Sequence, residues 1–305
     1  MLQVSPRPLG FGELLDGAFT LLRRHFVLLF SLALIPQVPE ILYWLGVTAL
    51  VPLELQTFAG LFIVPWTWAI TVLLTGALVH SVVHLLHGDA EPTIRDSLVA
   101  GLQNWIPLAV AFILVVVALS TLFGGGALAV GISAATGVLV LGPFGIFLAA
   151  LAGAALLAVM AFLFASFFAF APAVVVEDAG PIRSLVRSWE LASGDRIRIL
   201  AITLIAWILV LIPSVIATVF SISVMGFEAF FSGDPEAMQD SSLWATAVLQ
   251  IVGPILNAIT YPFLMAVVTL LYLDRRARTE APDLARAVDS LATGAPGADP
   301  ATPGA

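Results

Sequence analysis

Six long runs of apolar residues alternate with short polar segments along the chain. Each run is long enough to cross the hydrocarbon core of a bilayer as an α-helix, which takes about 20 mostly apolar residues. The pattern therefore predicts an all-α, polytopic membrane protein with six transmembrane helices. The predicted spans lie near residues 26–50, 61–86, 105–123, 138–171, 198–224 and 243–273.

The stretch 105–176 contains no charged residue and could hold two long spans or three short ones. The positions of the basic residues favour two. All 12 are arginines, and with six spans they fall into four segments on one side of the membrane, whereas the other three loops contain no arginine and two of them contain acids. The positive-inside rule then places both termini in the cytoplasm. The segment Gly124–Gly137 is expected to be an outer or re-entrant connection between two spans.

Amphipathic segments precede the first, third and fifth spans, near residues 9–24, 91–104 and 181–194. In each segment apolar residues recur at helical spacing, and charged residues occupy the opposite face. In the last segment, for example, Ile182 and Trp189 belong to the apolar stripe. Helices that lie in the membrane interface have this pattern.

The recurrence of this pattern predicts three parallel repeats, each made of an interfacial helix and two spans. The repeats would form one membrane domain over residues 1–274. The sequence then becomes polar and ends in Gly, Pro and Ala, so residues 275–305 are expected to form a mostly disordered cytoplasmic tail.

The composition agrees with this class of protein. Hydrophobic residues make up 60% of the chain and charged residues 10%, whereas about a quarter of a globular protein is charged. The absence of cysteine excludes disulfides, thiolate metal sites and cysteine nucleophiles. Abundant Ala, Gly and Pro, together with the absence of lysine, fit a GC-rich bacterial genome, so the expected location is the bacterial cytoplasmic (inner) membrane.

Arginines at the predicted cytoplasmic face form the expected lipid-binding surface. Each can attract anionic head groups by about 1 kcal/mol. The expected partners are membrane lipids, anionic lipids among them, and a membrane protein, but no nucleic acid. The candidate lipid-surface residues are Arg23, Arg24, Arg183, Arg187, Trp189, Arg196 and Arg198.

Two sequence motifs are shared with a known group of membrane proteins. The motif residues are Gly12, Glu13, Leu14, Leu15, Asp16, Arg23 and Arg24 near the first span, and Pro172, Val175, Glu177, Pro181, Ser188 and Trp189 before the fifth. They resemble the membrane domain carried by some bacterial glycerophosphoryl diester phosphodiesterases, over the chain to about Asp274. The activity of those fusions belongs to a TIM barrel of about 250 residues, which the short tail cannot hold. The resemblance therefore implies a membrane module without that enzyme.

Histidines at the inner end of the second span form the nearest pattern to a metal motif. His80, His84 and His87 are spaced by four and three residues and share one helix face, which could supply two or three imidazoles to a metal. No carboxylate is interleaved, and histidines near head groups are the commoner arrangement. They are weak metal candidates, and neither a metal nor a cofactor is expected.

Polar residues inside the apolar runs are the remaining candidates for a site. Pro36 and Pro39 are expected to break the first span, so that Glu40 lies in the first turn of the next half-helix, where the helix dipole favours a carboxylate. A lipid-facing acid costs about 2.5–3.5 kcal/mol, so Glu40 is expected to face the bundle near a polar stripe of span six. The candidate intramembrane cluster is Gln37, Glu40, Gln250, Asn257 and Tyr261.

The sequence contains no P-loop, nucleophile elbow or zinc-protease motif, so the chain is not expected to be an enzyme. The expected function is that of a scaffold or accessory protein that binds lipid or a membrane partner. The alternative is a transporter or exporter of a small solute, which the parallel repeats and the polar residues of spans one and six would serve.

Overall fold

The structure is a computed structural model and describes residues 10–87, 91–225 and 243–292. Its regular structure in these ranges is helical, as predicted, and a 3₁₀ turn (Ile35–Gln37) joins α2 to α3. The helices are α1 (Phe11–Arg24), α2 (Phe26–Leu34), α3 (Val38–Leu50), α4 (Leu53–His87), α5 (Ile94–Gln103), α6 (Trp105–Leu141), α7 (Pro143–Ser166), α8 (Phe170–Glu177), α9 (Pro181–Ala192), α10 (Arg196–Met225) and α11 (Leu243–Ala292).

Six helical segments are long and apolar enough to cross a membrane, which confirms the six predicted spans within the described residues. The second and sixth spans lie innermost, because at least half of the most apolar part of each is buried. The most apolar part of the fourth span is not buried at all. The segments are Phe26–Leu50, Phe58–His87, Trp105–Gly137, Pro143–Glu177, Arg196–Phe220 and Ile251–Glu280.

The prediction of an outer or re-entrant connection at Gly124–Gly137 is wrong. Helix α6 continues through this segment to Leu141, and the chain turns at Gly142, whose φ of 59° lies in the left-handed region. A Cβ at Gly126 would lie 2.5 Å from a side-chain atom of Leu156 in α7. This glycine therefore allows close helix packing rather than a turn, and the helix keeps backbone groups paired where lipid cannot pair them.

The predicted break in the first span is present. Helix α2 ends at Leu34, and α3 begins at Val38, with Pro36 in the 3₁₀ turn between them. Glu40 lies in the first turn of α3, as predicted.

The three amphipathic segments form the helices α1, α5 and α9. Each begins after a residue in extended conformation, namely Gly10, Thr93 or Gly180. The buried positions of α1 and α9 have the same spacing along the chain. They are Leu14, Ala18, Leu21 and Leu22 in α1, and Ser184, Ser188, Leu191 and Ala192 in α9.

Large apolar side chains of these short helices point away from the protein. Ile182 and Val186 of α9 are 71% and 52% exposed, and Phe19 of α1 and Leu102 of α5 are exposed as well. Helix α9 therefore has two distinct faces besides its charged one: a small-residue face against the protein and a large apolar face available to lipid.

Helix α11 is the central element of the bundle. It contains 50 residues and contacts α1 to α4 as well as α8, α9 and α10. Its buried side chains include Tyr272 and Leu271, which are fully enclosed. One helix thus packs against elements from both ends of the chain.

The prediction of a mostly disordered tail (275–305) is corrected over its first part, because α11 continues to Ala292. Ion pairs between residues four apart favour the continued helix. One of them joins Arg276 Nε to a Glu280 carboxylate oxygen at 2.9 Å. Residues 293–305 lie outside the described part of the chain.

Candidate intramembrane binding site

A cavity of about 450 Å³ lies between α4, α6, α7, α8, α10 and α11. Its wall is mostly apolar, with phenylalanines grouped at the α7–α8 junction. Along α11 the lining residues run from Asn257 to Val268, which corresponds to about 16 Å at 1.5 Å per residue. The cavity has the size of a small-molecule site and the length of a segment of an acyl chain.

The polar groups of the described lining residues are hydroxyls, the Asn257 amide and the Trp207 indole N–H. The Thr75 hydroxyl donates to the Thr71 carbonyl at 2.7 Å, so it accepts from the Tyr261 hydroxyl, which lies 2.6 Å away. The Thr260 hydroxyl donates within its own helix. Among the described residues, the Asn257 amide has no hydrogen-bond partner, so it remains available to a ligand.

The fourth span is interrupted beside this cavity. Helix α7 ends at Ser166 and α8 begins at Phe170. Ser188 of α9 bridges the interruption, because its hydroxyl donates to the Ser166 carbonyl and accepts from the Ala169 amide, both at 2.9 Å. The interruption redirects the chain so that Phe170 and Ala171 form part of the cavity wall.

Arg196, the first residue of α10, contacts the same junction. Its Nε donates to the Ser166 hydroxyl at 2.9 Å. Its guanidinium carbon lies 4.5 Å from the ring centroid of Phe162 and 4.8 Å from that of Trp189. Two cation–π contacts hold the guanidinium in one orientation, each contributing about 0.5–1 kcal/mol at an exposed site.

Ion pairs join α8, α9 and α11 at the predicted cytoplasmic end. Glu177 accepts from Arg187 Nε at 3.0 Å and from the Tyr272 hydroxyl at 2.6 Å. Arg187 also pairs with Glu280. Desolvation alone would lower the pKa of Arg187, but hydrogen bonds to the two carboxylates outweigh it and raise that pKa. Arg187 therefore stays charged at any physiological pH.

Arg275 of α11 binds the C-terminal end of α9. Its side chain is 7% exposed, and its Nε and Nη2 donate to the carbonyls of Leu191 at 2.9 Å and Ser193 at 3.0 Å. Its Nη1 pairs with Asp195. The last carbonyls of a helix have no partner within it, and the helix dipole favours a cation there. Gly194, with a φ of 88°, allows the sharp turn beside the guanidinium.

Two residues of the predicted intramembrane cluster meet in the cavity. Asn257 and Tyr261 lie one turn apart on α11 and both line the wall. The side chain of Gln250 lies outside the described residues.

The two candidates from the first span have other neighbours. Gln37 is buried, and its amide donates to the Ala33 carbonyl at 3.1 Å. Glu40 is half-buried, and the Thr67 hydroxyl of α4 lies beside its carboxylate. Glu40 is thus partly shielded from lipid by span two, and its described polar neighbour is not on span six.

Apart from Arg196, the candidate lipid-surface arginines fall into two groups. Arg23, Arg24 and Arg183 are exposed on α1 and α9. Arg187 and Arg198 are half-buried and pair with acids of the protein itself. Only the first group and Arg196 present guanidinium groups that no carboxylate among the described residues neutralises.

The histidines form a small group without the ligand set of a metal site. The rings of His80 and His84 stack with their centroids 4.2 Å apart, and His87 bonds to the Val83 carbonyl at 2.7 Å. The described residues contain no group of three or more His, Cys, Asp or Glu that could hold a metal ion. The weak metal hypothesis therefore gains no geometric support.

Sequence reasoning missed the residues that position the wall of the cavity. Ser188 belongs to the shared motif, but the sequence did not predict that it bridges the break in the fourth span. The spacing of Ser184 and Ser188 by four residues is a signal of a small-residue packing face. Arg275 was assigned to the tail, although the glycine that follows α9 indicates a helix end requiring a partner.

Six long apolar spans with a cavity between them define an integral multi-pass membrane protein. The chain belongs to the family described as a domain of unknown function, DUF7847, whose model matches residues 11–274. No curated protein and no solved structure matches the chain. None of these comparisons links the family to the membrane domains of glycerophosphoryl diester phosphodiesterases.

Proposed function

We propose that this protein is a non-catalytic accessory or scaffold protein of the bacterial cytoplasmic membrane that binds a lipid between its spans. The observation that supports this function is the cavity, which has a volume of about 450 Å³ and an almost wholly apolar wall. It lies among helices long enough to cross the membrane, where lipid tails are the most abundant apolar molecules.

The lining of the cavity favours an apolar ligand over a polar solute. No charged residue is among its described lining residues. The hydroxyls of Thr75 and Thr260 donate to carbonyls of their own helices, so few polar groups remain to replace the hydration shell of an ion or sugar. A transporter or exporter of a small solute, the alternative from the sequence, therefore has less support.

Filling the cavity should displace the bound lipid. Ala171 lies in the wall and is 5% exposed, so Ala171→Phe would occupy space where two or three CH₂ groups bind. The variant should therefore retain severalfold less lipid than the wild type, because the ring fills volume that the acyl chain would occupy. The measurement is the amount of lipid per protein that survives detergent exchange, determined by mass spectrometry of the extract.

The matched control for this variant is Ala158→Phe on the exposed surface of α7. It adds the same ring where lipid already surrounds the helix, so it should retain as much lipid as the wild type. Equal lipid content in the Ala171→Phe variant and the wild type would contradict the proposed function.

The shared motifs with phosphodiesterase membrane domains support an architectural role for those residues. The Glu13 carboxylate accepts a hydrogen bond from the Gly10 amide at 2.7 Å, at the N-terminal end of α1. Glu177 binds Arg187 and Tyr272, whereas Ser188 bridges the break in the fourth span. We propose that this chain is a related stand-alone membrane module, whose shared residues specify the fold rather than a reaction.

We further propose that the chain contains three parallel repeats and has both termini in the cytoplasm. The common spacing of buried residues in α1 and α9 supports the repeat. The arginine-rich ends of α1, α9 and α11 support the orientation under the positive-inside rule.

Cysteine labelling should test this topology without background, because the chain has no cysteine. Cysteines at the exposed positions Asp16 and Glu190 are expected to react with a membrane-impermeant maleimide only after permeabilisation. A cysteine at Val140, beside the α6–α7 turn and 80% exposed, should react in intact cells if the turn projects beyond the bilayer. Labelling of Glu190→Cys in intact cells would overturn the proposed orientation.

A further inference from the structure

We propose that Arg196 binds the phosphate of an anionic phospholipid of the cytoplasmic leaflet, whose acyl chain occupies the cavity. This inference rests on the proposed function, because it identifies the lipid class and the position of its head group. It rests on the contacts of Arg196 with Trp189 and Phe162, and on the position of these residues beside the cavity wall.

Arg196 has donors to spare. A guanidinium has five N–H groups, and the described structure uses one of them, Nε, which donates to the Ser166 hydroxyl. No carboxylate among the described residues lies within ion-pair distance of Arg196. Arg187 and Arg275 nearby differ, because acids and carbonyls of the protein occupy their guanidinium groups.

The guanidinium is also held in place before any ligand arrives. The guanidinium carbon lies over the rings of Phe162 and Trp189, 4.5 and 4.8 Å from their centroids, and the Ser166 hydroxyl accepts a hydrogen bond from Nε. The two Nη groups form a planar fork, which is the geometry that binds two oxygens of a phosphate. Little side-chain entropy is then lost on binding, in contrast to a free arginine on the surface.

This cation adjoins the cavity. The Trp189 ring that contacts Arg196 lies 6.0 Å, centroid to centroid, from the Phe167 ring, and Phe167 lines the cavity. A phospholipid has the same order of groups, since a short glycerol separates its phosphate from its acyl chains. The phosphate can therefore contact Arg196 while one chain passes Phe167 into the cavity.

The depth of Arg196 also suits a phosphate. It begins the fifth span, Arg196–Phe220, and Trp189 beside it has the amphipathic ring that is enriched at head-group depth. The exposed Ile182 and Val186 on the same helix as Trp189 provide an apolar surface along which a lipid can approach from the bilayer.

The test compares phosphatidylglycerol with diacylglycerol of the same chains, since the two differ in the phosphate head group. Purified protein is equilibrated in micelles with an equal mixture, and the retained lipids are extracted and quantified by mass spectrometry. The wild type should retain phosphatidylglycerol about fivefold over diacylglycerol, corresponding to about 1 kcal/mol for one arginine. In Arg196→Gln this preference should disappear while the total amount of retained lipid persists.

Arg95→Gln is the matched control, because it removes the same charge from an exposed position on α5, away from the proposed site. It should keep the preference, and Arg196→Lys should keep most of it because the charge remains. Equal losses in Arg95→Gln and Arg196→Gln would mean diffuse surface attraction and would overturn the inference. Melting temperatures of the variants monitor folding, and a loss of preference in a variant that melts like the wild type excludes a merely structural effect.

Two further comparisons distinguish failure of the head-group site from failure of the proposed function. If Ala171→Phe loses its lipid but Arg196→Gln keeps the phosphate preference, the head-group site is wrong and the proposed function stands. If Ala171→Phe loses no lipid, the proposed function itself fails. Inorganic phosphate alone, at millimolar concentration, should not raise the melting temperature. A rise that Arg196→Gln abolishes, without any lipid preference in the wild type, would identify a soluble anion site instead.

Discussion

Replacing Arg275 by methionine is expected to lower the free energy of unfolding by about 1–3 kcal/mol, because it leaves polar groups at the end of α9 without the buried guanidinium that they bind. Methionine has a similar length but no donor. The carbonyls of Leu191 and Ser193 and the carboxylate of Asp195 all lose their Arg275 partner at once. The measurement is reversible unfolding of the purified protein in mixed micelles, followed by far-ultraviolet circular dichroism.

The control for this variant is Arg183→Met, at an exposed position on α9. A surface substitution of that kind is usually within about 0.5 kcal/mol of the wild type. The double variant Arg275→Met with Asp195→Asn should be less unstable than the sum of the single changes, because the carboxylate that Arg275 neutralises is then absent. An Arg275→Met variant as stable as Arg183→Met would mean that the guanidinium does not hold α9 in place.

Replacing Gly101 by alanine should be the most disruptive change of a single methyl group. A Cβ at Gly101 would lie 2.6 Å from the carbonyl oxygen of Leu73 and 3.1 Å from the amide nitrogen of Ala77. Both atoms belong to the backbone of α4, so no side chain can move aside and the two helices must separate. Overpacking of this kind costs about 1–3 kcal/mol, and it should also weaken the 2.8 Å hydrogen bond between Ser81 and Ser97.

Gly131→Ala provides the control, because Gly131 lies within α6 and no atom lies within 4 Å of the added Cβ. Alanine is favoured over glycine in a helix by about 0.5–1 kcal/mol. The two variants should therefore shift the melting temperature in opposite directions. A Gly101→Ala variant that melts at or above the wild-type temperature would contradict the close contact between α4 and α5.

The glycines illustrate why the sequence predicts spans better than their ends. Apolar length together with the positions of the arginines predicts six spans. The segment Gly124–Gly137 has a composition that fits either a turn or a continuous apolar helix. Only its contacts with the neighbouring helix distinguish the two structures. Leu156 of α7 lies where a side chain at Gly126 would be, and that contact cannot be read from α6.

The candidate site was predicted in part for a similar reason. Asn257 and Tyr261 are polar residues at helical spacing in an apolar span, so their common face could be read from the sequence. Ser188 and Arg275 act through partners that are distant in the chain, at Ser166 and Leu191. Pairings over that separation depend on how the helices pack, which one unaligned sequence does not specify.

The α6–α7 hairpin has a consequence for the membrane around the protein. Helix α6 has 37 residues without a charge, a length of about 55 Å, whereas the hydrocarbon core is about 30 Å thick and helices tilt by at most about 40°. At that tilt α6 still extends over about 42 Å along the bilayer normal. The turn at Gly142 carries no charge, so exposing the ends of both helices to water costs hydrophobic free energy that a locally thicker bilayer reduces. The bilayer should thicken beside the hairpin, and thick regions of the membrane should hold the protein more favourably than thin ones.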